Sequence, residues 1–116
     1  MNRIPLKIWN RIDMLQAPIA AEVPASAPGR RRWVDIHYDL TRKHLTCPPH
    51  RYCIIDREFD AALLAAYAPD GDEDLAMLSI KQYYVADAPQ LYAVLAELGA
   101  APGLFEAPWN VGHPLL

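Results

Sequence analysis

Two cysteines in 116 residues, Cys47 and Cys53, are too few to build a disulfide scaffold. Such usage implies a reducing compartment, and a cytoplasmic location is expected. Glycine is sparse as well. Its five occurrences, at positions 29, 71, 99, 103 and 112, make neither a G-x-G-x-x-G nor a Walker pattern, which removes the familiar phosphate-cradling loops. Serine occurs only at positions 26 and 79, and neither sits in a nucleophile elbow. Long apolar runs are missing too. The longest weakly polar stretch, residues 61–69, falls well short of the roughly 20 residues that span a bilayer. Arg3, Pro5, Lys7 and Arg11 interrupt the first apolar residues, so no signal-peptide core is expected.

What remains describes a globular chain: 53% hydrophobic and 22% charged residues. Its length suits one domain, residues 1–116, able to bury a core without metal or disulfides. The 11 prolines are scattered and read as loop punctuation. Charge is divided unevenly. Residues 1–55 carry nine Lys/Arg against four Asp/Glu, and residues 56–116 carry two against ten. Such a split provides a face for a charged partner, or two halves that neutralise each other on packing.

Ile4, Leu6, Ile8, Ile12 and Met14 alternate with Arg3, Lys7, Arg11 and Asp13, a period of two that predicts a strand. Residues 16–31 hold Pro18, Pro24, Pro28 and Gly29 among small residues and read as a flexible Ala/Pro-rich loop. Val34, Ile36, Tyr38 and Leu40 then alternate with Trp33, Asp35, His37 and Asp39, predicting a strand with one open polar face. Pro48 and Pro49 interrupt any ladder before a short strand at 52–55. Asp56 is placed to cap a helix through Phe59, Leu63 and Tyr67. In residues 75–85, Leu75, Leu78 and Val85 would suit a helix, but Tyr83, Tyr84 and Val85 are strand formers and a further strand is expected. Asp87, with Gln90 three residues on, opens a helix whose stripe is Leu91, Val94, Leu95 and Leu98, with Gly99 at its end. Residues 103–116 read as an irregular C-terminal arm. The fold class is therefore α+β: a small mixed sheet, order β-β-β-α-β-α, with a right-handed crossover from 52 to 85 and two helices on one face.

Four patterns bear on function. His44, Cys47, His50 and Cys53 are competent zinc ligands at regular spacing, but all fall within ten residues, where structural sites usually join two separated pairs. Cys47 or Cys53 with His37 or His44 could form a nucleophilic pair, which only geometry can establish. Asp35, His37 and Asp39 project together from one strand, as an acid–base cluster would and as a solvated sheet face also would. Arg30, Arg31 and Arg32, beside Trp33, could grip phosphates with Arg42 and Lys43, but the sequence pI near 5.7 disfavours a nucleic-acid partner.

The expectation is a non-enzymatic protein-binding protein, an inhibitor, immunity protein or regulatory adaptor that occludes its partner. No cofactor and no membrane are called for. The partner would be another protein, with a basic surface where Asp70, Asp72, Glu73 and Asp74 meet it, or contacted through Trp33, Arg30, Arg31 and Arg32. The alternatives are a small metal-binding or redox protein using His44, Cys47, His50 and Cys53, and a small enzyme with a Cys/His or Asp/His site. Oligomeric state is not legible in these patterns.

Overall fold

The computed structural model describes residues 2–41 and 47–116. Four strands form one antiparallel sheet in chain order. They are β1 (Ile19–Val23), β2 (Arg30–Tyr38), β3 (Tyr52–Asp60) and β4 (Met77–Val85), accompanied by helices α1 (Leu6–Asp13), α2 (Ala61–Tyr67) and α3 (Ala88–Leu98). The α+β class holds. The sheet, however, is antiparallel throughout, so the expected parallel crossover from 52 to 85 is absent. β3 and β4 are direct antiparallel neighbours, and α2 sits in the connection between them.

The N-terminal segment is a helix and not the predicted strand. Pro5 sets the entry, its carbonyl accepting from the amides of Ile8 and Trp9, a position where its missing N–H costs nothing. Ile4, Ile8 and Ile12 then share the buried side at four-residue spacing, while Leu6 and Met14 from the same alternating row point to solvent. The strand that pairs with β2 comes instead from within the 16–31 loop, where Ile19–Val23 has only one charged residue, Glu22.

On one face of the sheet, Ile19, Ala21, Val34, Ile36 and Ile54 pack against α1 and against Leu91 and Leu95 of α3. α3 is built as its sequence predicts: the Asp87 carboxylate accepts from the Gln90 amide at 2.9 Å, and Gly99 takes the left-handed conformation at φ 69°. On the opposite face, Trp33 and Phe59 pack edge to face at 5.6 Å, closed over by Leu64 of α2, Ala76, Val111 and Leu115. The helices therefore occupy both faces. β3 also runs five residues further than expected, to Asp60. It is Asp60, not Asp56, that caps α2, its carboxylate accepting from the Leu63 amide.

Candidate functional site

Trp33, Asp35 and His37 were expected on an open face, and the structure corrects this. Trp33 and Asp35 are fully buried. The C-terminal arm crosses that face: the Trp33 indole N–H donates to the Val111 carbonyl at 2.9 Å. Trp33 is therefore a core residue and offers a partner nothing. Its ring carries the Arg31 guanidinium 4.6 Å from the centroid on its outer side.

Asp35 is the polar centre beneath the arm. Arg57 donates from Nε to Oδ1 at 2.9 Å and from Nη2 to Oδ2 at 3.2 Å. His37 donates from Nε2 to Oδ2 at 2.5 Å, and His113 from Nε2 to Oδ1 at 2.9 Å. The His113 tautomer follows from its other nitrogen, because Nδ1 accepts from the Leu115 amide at 3.1 Å. Burial by itself would push the Asp35 carboxyl up. The hydrogen bonds from His113, His37 and Arg57 outweigh that and hold it below the usual carboxylate range. A buried ionised carboxylate is tolerable only with such saturation. Sequence reasoning found Asp35 and His37 but missed Arg57 and His113. The signal for Arg57 was the alternation Cys53, Ile55, Arg57, Phe59, had β3 been read through to its end. His113 had none, lying in an aperiodic tail.

The register places His37 directly opposite Cys53, so one suspected Cys/His pair is adjacent in space. The Cys53 thiol is buried, and that burial, with the Asp35 charge nearby, pushes it up to about 12. A thiol held protonated is a poor nucleophile and a poor metal ligand. His50 is committed at both nitrogens: Nδ1 donates to the Pro48 carbonyl at 2.8 Å and Nε2 accepts from the Leu40 amide at 2.9 Å. His44, Arg42 and Lys43 lie outside the described residues. Among the described residues no group of three side chains is placed to hold a metal ion.

The arginine run is engaged in cross-strand pairs. Arg30 meets Glu58 at 3.3 Å; Arg31 meets Glu22 through two bonds of 2.9 Å; Arg32 meets Asp56 at 2.8 and 2.9 Å. These pairs join the basic first half of the chain to acidic residues beside it. The acidic residues at 70–74 are different. Asp70, Asp72 and Asp74 are exposed and Glu73 half-buried, in two short 3-10 turns around Gly71 at φ 73°. Among the described residues no ion pair involves any of the four.

The two sheet edges also differ. The β1 edge is short and partly covered, since Ala20 and Glu106 exchange two backbone hydrogen bonds of 2.9 Å. The β4 edge is nine residues long, and among the described residues no strand pairs with its outer side. A bulge at its start leaves Leu78 unpaired, after which Ser79–Val85 pair regularly with β3. Leu75, Leu78 and Ile80, immediately after the acidic turns, are 64%, 48% and 47% exposed. No helix among the described residues is long and apolar enough to cross a membrane. The chain matches no protein-family model, and no curated protein or solved structure is significantly similar to it.

Proposed function

We infer that this protein is a non-enzymatic binding protein, an inhibitor, immunity protein or adaptor, that occludes a partner through the acidic turns at 70–74 and the adjoining edge of β4. The observation that carries this reading is the open β4 edge. A long edge strand with free N–H and C=O groups templates strand addition, and proteins usually blunt it. Here the β1 edge is bridged by Glu106, while among the described residues β4 is blunted by no more than Lys81 and the Leu78 bulge.

The occupant that fits is an extended segment of a partner protein, hydrogen-bonded along β4, with apolar residues on Leu78 and Ile80. Lys or Arg side chains on that segment or beside it would face Asp70, Asp72, Glu73 and Asp74. Among the described residues the four carboxylates have no ion-pair partner, and charge complementarity of this kind speeds encounter more than it deepens affinity.

The test is a pull-down from the native host with wild-type protein and the Asp72→Asn/Glu73→Gln/Asp74→Asn variant as baits. Association rates with the recovered partner would then be measured at low and high salt. The reading expects slower association for the variant, by about tenfold at low salt, and a flatter salt dependence. A partner bound equally fast by both proteins would place the interface elsewhere, and recovery of none would remove the reading.

A further inference from the structure

The half of the sheet not covered by the C-terminal arm holds a pocket of about 390 Å³ beside Asp35, within the range of small-molecule sites. Its floor is the β3–β4 ladder, where Ile55 stands opposite Gln82 and Arg57 opposite Ile80. Leu40 and Pro48 wall one side, and Tyr84 closes an end.

Two donors in this pocket are unspent. The Arg57 guanidinium gives Nε and Nη2 to Asp35, which leaves Nη1 without a partner among the described residues. The Gln82 Oε1 accepts from the Tyr84 hydroxyl, 2.5 Å away, and its NH2 group has no partner among the described residues. No Asp or Glu lines the pocket among the described residues. The rest of the described lining combines Leu40, Pro48, Ile55 and Ile80 with Cys47 and Tyr84.

We propose that this pocket binds a small monocarboxylate with an apolar body, its two oxygens taken by Arg57 Nη1 and the Gln82 amide. The chemistry separates a carboxylate from other anions. Two donors match two oxygens. The Arg57 charge is already balanced by Asp35, so among the described residues the lining carries no surplus positive charge of the kind a phosphate dianion requires. Ile55, Ile80 and Leu40 suit a flat ring or short alkyl chain. The ligand would lie on the sheet face and an added strand in the sheet plane, so the two sites meet only along β4, where they share Ile80.

Benzoate and hexanoate are the probes, with benzamide and inorganic phosphate as controls. At roughly ten times its Kd, either carboxylate should raise the melting temperature by about 5 °C. Both should shift the backbone amide resonances of Leu40, Arg57 and Tyr84, and the controls should do neither. Arg57 cannot be substituted cleanly because it also holds Asp35. Gln82→Leu is the informative variant: Gln82 is exposed, so its removal should leave the melting temperature of free protein unchanged and weaken benzoate about tenfold, the effect of one hydrogen bond to a charged group. Absence of carboxylate-induced shifts at these residues would overturn the proposal. So would equal binding of benzamide, or unchanged benzoate affinity in Gln82→Leu.

Discussion

Asp35 shows how much one residue can organise. Its carboxylate joins β2 to β3 through Arg57 and to the C-terminal arm through His113. Replacing it with Asn keeps the size but removes the charge, and turns an acceptor toward one set of donors into a competing N–H. Arg57 would be left buried without its counter-charge. Asp35→Asn should therefore cost about 3–5 kcal/mol in urea unfolding at neutral pH. The pH dependence has a defined sign. Because the folded carboxyl titrates below its unfolded value, its stabilisation is complete above about pH 4. It fades as pH falls from there toward the lower folded value. The gap between wild type and Asp35→Asn should shrink through that acid range. A constant gap would show that the charge is not what stabilises. Glu58 adds to the same acid limb. The Ser26 amide, 2.6 Å from its Oε1, is the main cause that lowers it.

At the scale of elements, α3 is self-consistent and the C-terminal arm is not. The helix has a cap, a stripe and a terminal glycine, all readable locally, and Leu95 at its centre is fully buried. Leu95→Ala should cost roughly 2–4 kcal/mol by leaving a cavity, and a loss under about 1 kcal/mol would mean that α3 is not core. The arm, residues 102–116, has two short 3-10 turns and no helix of its own. Its place depends on the Trp33–Val111 hydrogen bond, on His113 and on the packing of Val111 and Leu115. His113→Ala deletes one hydrogen bond to Asp35 and one from Leu115. It should raise hydrogen exchange at residues 111–116 far more than in α3. Equal protection of the arm in both proteins would show that packing alone retains it.

For the molecule as a whole, charge is arranged in two ways. Where the basic and acidic halves touch, Arg30 and Arg32 of β2 pair with Glu58 and Asp56, and Arg31 pairs with Glu22 within the basic half. The excess acid collects at 70–74, beside the open edge. Those carboxylates repel one another and have no ion-pair partner among the described residues, so the triple change at Asp72, Glu73 and Asp74 should leave the melting temperature unchanged or slightly higher. A marked fall would mean that they support the fold. Leu78→Lys tests the edge separately. It places a charge on an exposed bulge residue, so it should spare stability within about 0.5 kcal/mol and, on the proposed strand-addition interface, slow or abolish binding of the partner.

Local chemistry decided a good part of this protein. The α+β class, the existence of strands β2 and β4 and the whole of α3 follow from residue patterns a few positions long. What the sequence could not decide was which face of a pattern is covered. Ile4 to Met14 has both a two-residue and a four-residue apolar row. The core under Ile8 and Ile12 selects the helix and leaves Leu6 and Met14 outside. Ile19–Val23 is too short to announce itself among prolines, and becomes a strand because β2 provides a partner. Trp33, Asp35 and His37 alternate like an exposed face and are buried because a distant, aperiodic tail lies across them. The Asp35 centre draws together residues 35, 37, 57 and 113, and the physical reason it was only half legible is that hydrogen bonds between distant segments leave no period in the chain.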